Sequence, residues 1–274
     1  MNKHFPINFF QSIFSVKQIF SNRNKFKWWQ LGIIFIFIQS LVMIPLSLGL
    51  AQRGIELVDA FLPTEFTQID SNASTQIQQL TFNKGQLEET NEKIIYQTST
   101  LIVGTNIPEE LTQDKLALDF TQDYAVVTLQ KDQAFYDLRL VYTDEFIGNL
   151  KETTIYEGLK TEMYHQNSGP IFLSTVLNIG GILLAMNALL ILGISVLFYL
   201  TKKASAIHSL KESVTLSLSL VSGGSLLAML VGFLTTDIFI LFGIQSLWLI
   251  GMSLTLYVKT RFKRAVFNEA VNAK

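Results

Sequence analysis

The sequence predicts an integral membrane α-helical protein with four transmembrane helices and an extracytoplasmic α+β domain between the first and second. Of its 274 residues, 49% are hydrophobic and only 16% are charged, whereas an ordinary globular domain carries about 25% charged residues. The apolar residues cluster in four long runs, and the segments that join these runs differ sharply in their balance of basic and acidic residues. Together these observations exclude most classes of soluble enzyme.

Residues 1–30 are predicted to be a cytoplasmic segment that begins with an amphipathic helix over residues 5–20. Apolar side chains recur there at helical spacing, and two tryptophans follow. We predict that these side chains lie at the membrane interface: Phe9, Phe10, Ile13, Phe14, Phe20, Trp28 and Trp29. A second interpretation is compatible with the first: the same face packs against the cytoplasmic ends of the protein's own spans.

The four apolar runs are predicted to be transmembrane helices, because a bilayer core of about 30 Å takes roughly 20 helical residues. They occupy residues 31–50, 171–200, 214–234 and 238–258. Only three residues separate the last two, so these form a tight hairpin, with Asp237 as the N-cap of the fourth span. Gly49 and Ala51 fit the small-x-small pattern of a cleavage site, but the 30 preceding residues exceed a usual signal-peptide n-region. We therefore expect an uncleaved anchor.

Residues 51–170 are predicted to be a folded α+β domain. A helix is expected over 54–61, ended by Pro63, and another over 153–164 that leads into the second span. A hairpin turn is expected at residues 83–85 and another at 131–132, with a short helical insert at 108–111. Runs with strand-like composition cover Ile77–Phe82, Ile94–Val103, Leu116–Phe120, Tyr124–Leu129 and Ala134–Tyr142.

The distribution of charge predicts the orientation. Residues 1–30, the loop 201–213 and the basic tail 259–274 together hold 13 basic and 2 acidic residues, whereas the remaining loops hold 8 basic and 20 acidic residues. Because cytoplasmic loops carry an excess of Lys and Arg, we predict a multi-pass protein of the cell membrane. Both termini are cytoplasmic and residues 52–170 are extracytoplasmic.

The sequence shows no motif of a known catalytic or metal site. It contains no cysteine, and its three histidines fall in different segments without zinc-binding spacing. We therefore predict a non-enzymatic protein with no catalytic residues, no metal and no cofactor. Acidic residues near the strand ends, such as Asp119, Asp123, Asp132 and Asp137, could pair as acid and base, but solvated turns explain them equally well.

The membrane runs contain polar residues but no ionisable ones. The intramembrane candidates are Gln39, Asn178, Asn187 and Gln245. Hydrogen bonding between helices is the favoured interpretation, and a substrate path lined by Asn178, Asn187 and Gln245 is the alternative. Since intramembrane charges typically mark proton relays and voltage sensors, a proton-coupled transporter is disfavoured.

The order of these parts resembles a bacterial membrane family of unknown biochemical function, labelled maltodextrin utilisation protein (MalA-type). The similarity rests on the N-terminal FFQSIFSVKQIF segment, which includes Phe14–Lys17, on the Phe82–Leu87 turn and on Leu116–Phe120. The resemblance implies an association with sugar uptake in Gram-positive bacteria, beside binding-protein-dependent transporters. It implies no catalytic residue.

Three functions follow as expectations. The first is an accessory membrane protein for carbohydrate uptake, which lies in the lipid bilayer and whose outer domain binds a component of a sugar ABC transporter, another envelope protein or a glycan. Outer aromatic residues available for stacking on sugars are Tyr96, Tyr124, Phe135, Tyr136 and Tyr142. The second is a membrane-organising scaffold that acts through the amphipathic helix, and the third, less favoured, is a small-solute transporter. No partner nucleic acid is expected.

Overall fold

A computed structural model describes residues 5–88, 91–112, 114–131, 134–203 and 205–262, with backbone alone at 8, 130, 131 and 134–136. The α-helices in this part of the chain are α1 (Ile7–Ser12), α2 (Val16–Asn22), α3 (Trp28–Arg53), α4 (Ser71–Gln78), α5 (Glu109–Thr112), α6 (Asp144–Glu152), α7 (Ile155–Leu200), α8 (Leu210–Gly232) and α9 (Ile238–Thr260). The strands are β1 (Phe82–Asn83), β2 (Gln86–Leu87), β3 (Lys93–Gln97), β4 (Leu101–Thr105), β5 (Leu116–Phe120), β6 (Tyr124–Lys131) and β7 (Ala134–Val141). Short 3₁₀ helices cover Gly54–Ala60, Thr64–Gln68 and Thr201–Lys203. The chain divides into two compact units, residues 1–52 with 176–274 and residues 53–175.

The first unit, which we call the helical unit, contains three of the four apolar runs and most of the run at 171–200. In the described part of the chain, four helices are long and apolar enough to cross a membrane: α3 with its 3₁₀ extension, α7, α8 and α9. Asp237 caps α9 as predicted, since its carboxylate accepts hydrogen bonds from the backbone N–H groups of Phe239 and Ile240. The predicted basic tail lies, from residue 263 onward, outside the described residues.

Small residues let the helices of this unit approach closely. A Cβ atom added at Gly232 would lie 2.6 Å from Cγ of Pro45, and one added at Gly223 would lie 2.7 Å from Nε1 of Trp248. Both distances are shorter than a van der Waals contact between non-bonded heavy atoms. The indole of Trp248 also donates a hydrogen bond to the Leu220 carbonyl at 3.1 Å. Glycine at these positions therefore brings α8 against both α3 and α9.

The second unit is the predicted α+β domain. Its five-stranded sheet has the order β3-β4-β5-β6-β7, with β4 and β5 parallel and the other pairs antiparallel. The β1–β2 hairpin turns at Lys84 and Gly85, which both have positive φ, as a type I′ turn requires. Three side chains at the start of this unit are buried, and they are Leu57, Val58 and Leu62.

Two strand predictions were wrong. The run Ile77–Phe82 instead contains the end of α4 and the start of β1, because Asp70 caps α4 and places Ala73 and Ile77 on one buried face. The run Ile94–Val103 is divided between β3 and β4, since Thr98 forms a turn in which its hydroxyl accepts a hydrogen bond from the N–H of Leu101. Of the turn predicted at residues 131–132, Asp132 lies outside the described residues.

Candidate functional site

The α+β domain contains an open cleft of about 950 Å³. One wall is formed by residues 66–78, where the second 3₁₀ helix leads into α4, and the other by residues 152–157, where α6 ends and α7 begins. Asp70 holds the first wall by accepting a hydrogen bond from the N–H of Ala73 at 2.6 Å. Thr153 separates the two helices of the second wall by adopting an extended conformation. Local capping therefore fixes both walls.

The lining combines a small apolar part with many hydroxyl, amide and carboxylate groups. Phe66 and Ile155 contribute buried apolar side chains. The polar lining residues are Thr67, Ser71, Ser74, Thr75, Gln78, Glu152, Thr153, Thr154, Tyr156 and Glu157. No lysine, arginine or histidine is among the described residues that line the cleft. The cleft therefore offers neutral hydrogen-bonding groups and two negative charges.

Part of this polar surface is not used by the fold. Within the described residues, no hydrogen bond engages the side chains of Ser71, Ser74, Gln78, Glu152 or Glu157. The threonines differ, because their hydroxyl groups bond to nearby backbone groups. The groups left over are both donors and acceptors, so the cleft can bind a ligand that presents both.

One aromatic ring in the lining is held in place. The hydroxyl of Tyr156 donates to Oδ1 of Asp59 at 3.2 Å, and the Lys160 ammonium group lies 2.6 Å from the same oxygen. This arrangement joins the start of α7 to the first 3₁₀ helix of the domain. The ring of Tyr156 is therefore oriented before any ligand arrives.

The aromatic residues that were predicted to stack on sugars are not among the residues that line the cleft. Tyr142 is buried between Phe82 and Phe146, and its hydroxyl donates to the Thr121 carbonyl at 2.8 Å. Burial, with a smaller effect from nearby aspartates, raises the pKa of the Tyr142 phenol above its ordinary value. The hydroxyl of Tyr96 donates to the Gln68 carbonyl, and the Tyr124 ring lies 4.9 Å from the Arg139 guanidinium. The side chains of Phe135 and Tyr136 lie outside the described part of the structure.

The acidic residues near the strand ends serve the fold. Asp119 accepts a hydrogen bond from the N–H of Ile107 at 3.0 Å, and burial raises the pKa of this carboxyl. Asp123 accepts one from the Gln86 amide, and Asp137 one from the Thr128 hydroxyl. No group of three or more histidine and acidic residues that could share a metal ion occurs in the part of the chain that the structure describes.

Three of the four intramembrane candidates are buried and bonded. The Asn187 amide donates to Oε1 of Gln39 at 2.8 Å, and the Gln245 amide donates to the Ser225 hydroxyl at 2.7 Å. These contacts join α3 to α7 and α8 to α9. Asn178 is exposed on α7. The bonded pairs correspond to the favoured interpretation, hydrogen bonding between helices.

The N-terminal candidates divide into two groups. Phe9, Ile13 and Phe20 are buried in an apolar cluster with side chains of α3, α7, α8 and α9, and Phe10 is partly buried against it. Phe14, Trp28 and Trp29 are exposed. Residues 5–20 also form two short helices rather than the single helix expected, with a turn at 13–14.

A buried ion pair that no sequence motif predicts lies beside this cluster. Nε of Arg23 lies 3.5 Å from Oε2 of Glu212, and both side chains are 11% exposed. The guanidinium also donates to the carbonyls of Phe20 at 2.8 Å and Ala206 at 3.0 Å. Glu212 in turn accepts a hydrogen bond from the N–H of His208. The ion pair therefore joins the N-terminal segment to the first turn of α8, and the hydrogen bond to Ala206 joins it to the loop before α8.

The chain is similar over nearly its whole length to a maltodextrose utilization protein, MalA, of Streptococcus pneumoniae (strain ATCC BAA-255 / R6). The two are 23% identical over 265 residues, which cover 94% of this chain and 97% of that protein. This match confirms the resemblance to MalA-type proteins. No protein-family model matches the chain, and no solved structure matches it.

Proposed function

We propose that this protein is a non-enzymatic accessory membrane protein in maltodextrin utilisation. The observation that carries the proposal is the similarity to the streptococcal maltodextrose utilization protein, because it extends over 94% of this chain and 97% of that one. A match of this extent includes the residues of the apolar helices and of the domain between them in this chain.

The proposed location is the cell membrane, with both termini in the cytoplasm and the α+β domain outside. Four helices of sufficient length and apolarity support the location, and the excess of basic residues in the predicted inner segments supports the orientation. In this arrangement the domain meets sugars or envelope proteins before they reach the membrane. The proposed partner in the membrane is a sugar ABC transporter, whose components the domain or the exposed helix faces contact.

Growth of the host bacterium tests the proposal. Deletion of the gene should slow growth on maltodextrin and leave growth on glucose unchanged, and a plasmid copy should restore it. The matched control is the same plasmid with a stop codon at Trp28. Equal growth of the deletion strain on both sugars would contradict the role in maltodextrin utilisation.

A second measurement tests the proposal that the protein is not an enzyme. Purified protein incubated with maltopentaose should release no shorter sugar, as measured by chromatography of the products. Release of maltose or glucose at a rate lost on Glu152→Gln would show instead that the cleft carries a glycosidase, because paired carboxylates are the usual catalytic groups of such enzymes.

The structure gives less support to the scaffold function than to the accessory function. An amphipathic helix that organises membranes must place its apolar face in the lipid, but Phe9, Ile13 and Phe20 are buried within the helical unit. Of the predicted interface residues, Phe14, Trp28 and Trp29 are the exposed ones. We therefore assign the N-terminal segment to packing against the membrane helices.

A further inference from the structure

We propose that the cleft of the α+β domain, between residues 66–78 and 152–157, is a binding site for a neutral oligosaccharide. The class of ligand follows from the lining of the cleft. The further assignment to an α-linked glucose chain of maltodextrin rests on the proposed function.

The size of the cleft favours a chain of several sugars. Sites for small ligands typically enclose about 300–1,000 Å³, and the cleft, at about 950 Å³, lies near the upper end of this range. The cleft is also open to solvent, and two separate segments form its walls. An open cleft of this size can accept an internal stretch of a polymer, whereas a closed pocket would accept only a chain end.

The charge of the lining favours a neutral ligand. Glu152 and Glu157 are the charged residues among the described lining side chains. Lys160, which does not line the cleft, interacts electrostatically with Glu157, but its ammonium group is bound to Asp59. Phosphate and carboxylate ligands are normally bound by arginine, lysine or helix N-termini. The first turns of α4 and α7 do line the cleft, but Asp70 already accepts a hydrogen bond from the first turn of α4, and Glu157 adds a negative charge to the first turn of α7. Two carboxylates would repel an anionic polymer, whereas they can accept hydrogen bonds from the hydroxyl groups of a neutral sugar.

The hydrogen-bonding groups match a polyhydroxylated ligand. Each sugar hydroxyl donates and accepts, and the unused groups of the cleft include hydroxyls that do both, an amide with separate donor and acceptor atoms, and carboxylates that accept. These belong to Ser71, Ser74, Gln78, Glu152 and Glu157. A purely apolar ligand would leave them without partners, at a cost in free energy for each.

The aromatic side chain supplies an apolar surface for the sugar ring. Tyr156 lines the cleft, and its contact with Asp59 fixes its position. Aromatic side chains bind amphipathic ligands with little loss of conformational entropy when they are already held in place. Phe66 and Ile155 lie beneath the lining as buried apolar side chains, so Tyr156 is the aromatic residue of the lining that is partly exposed.

Calorimetric titration of the full-length protein tests the site directly. The protein is purified in lipid nanodiscs or in a detergent without a sugar headgroup, because a maltoside headgroup would compete with the ligand. The ligands are maltopentaose, cellopentaose and an oligogalacturonate of matched length as the anionic control. We expect binding of maltopentaose, weaker binding of cellopentaose and no binding of the anionic sugar.

Two substitutions locate the site. Ser74→Trp should lower the affinity for maltopentaose at least tenfold by filling the cleft. The matched control is Ser99→Trp, which adds the same side chain at an exposed turn between β3 and β4. If Ser74→Trp fails to fold, Glu152→Gln combined with Glu157→Gln keeps the shape of the lining and should lower the affinity about tenfold.

Four results would overturn the inference. The first is that the folded protein binds no neutral oligosaccharide, and the second is that binding survives both cleft substitutions. The third is that the protein prefers the anionic sugar. The fourth is that a photocrosslinker at Gln78 captures a protein while no glycan binds. Stronger binding of cellopentaose than of maltopentaose would overturn the assignment to maltodextrin. These outcomes are measured on purified protein, so they are distinguishable from a failure of the growth experiment, which would overturn the proposed function.

Discussion

Substitution of Arg23 should release the N-terminal segment from the helical unit. In Arg23→Met, the guanidinium contacts with Glu212 and with the carbonyls of Phe20 and Ala206 are lost, and the Glu212 carboxylate stays buried without its cation. Removal of one partner of a buried ion pair typically costs about 3–5 kcal/mol. A value of about 3 kcal/mol corresponds to an increase on the order of 100-fold in the population of the open segment.

The absence of cysteine from the sequence makes this change measurable. Ser12 is buried, and its hydroxyl donates to the Phe9 carbonyl, so Ser12→Cys introduces a thiol that reacts only when the segment opens. Its alkylation rate in detergent solution should rise about 100-fold on Arg23→Met. Lys25→Met, at an exposed position nearby, is the control and should change the rate by no more than about threefold.

A double substitution separates the ion pair from simple loss of packing. Arg23→Met combined with Glu212→Met removes both charges, and replacement of a whole buried pair by apolar side chains is often close to neutral. The double variant should therefore react more slowly than Arg23→Met alone. An unchanged alkylation rate in Arg23→Met would refute the reasoning, because it would mean that the contacts seen around Arg23 do not hold the segment.

Three other predictions concern orientation and the α+β domain. A cysteine at Ser99 should react with an impermeant thiol reagent in intact cells, and one at Lys203 only after permeabilisation; the reverse pattern would contradict the proposed orientation. A fragment of residues 53–166 should be soluble and unfold at a higher temperature than residues 64–166, because the shorter fragment lacks three buried side chains worth about 1.5–3 kcal/mol each. In the longer fragment, Asp119→Asn should raise the free energy of unfolding relative to wild type as pH rises above 3.8, because burial raises the pKa of Asp119 when folded and its ionisation then destabilises the native state. A difference that stays constant across pH, measured by denaturant titration, would count against this cause.

The long helices and most strands were predictable because their signals are local and strong. Runs of about 20 apolar residues have few alternatives to a helix that crosses a membrane, and the structure has helices at each of them. The strands β6 and β7 followed from β-branched and aromatic residues between turn signals, and β5 followed from a short, largely apolar run. The sequence does contain a signal against the strand predicted at residues 77–82. Asp70 is a good N-cap, and Ala73 and Ile77 are spaced by one helical turn, which together indicate a helix.

The cleft was not predictable, because its two walls are separated by more than 70 residues in the sequence. Ser74, Gln78 and Glu152 carry no motif, and each is a common surface residue when taken alone. Their proximity depends on the packing of α4 against α6, which places residues 71–78 beside the chain at 152–157. Large aromatic residues are the more obvious sugar-binding candidates in the sequence, but of these Tyr142 is part of the core.

The N-terminal segment shows why an apolar helix face alone does not identify what it contacts. A face that inserts into lipid and a face that packs on other helices have the same composition, so residues 5–20 fitted both interpretations. The difference lies in the charged residues: a helix on the bilayer keeps its basic side chains in water near the headgroups, whereas Arg23 is buried and bonded to Glu212 and to two backbone carbonyls. Glu212 is one of only two acidic residues in the segments predicted to be cytoplasmic. A lone acid among basic residues is therefore a signal for a specific internal partner, and it favours packing of this segment on the helical unit over insertion into lipid.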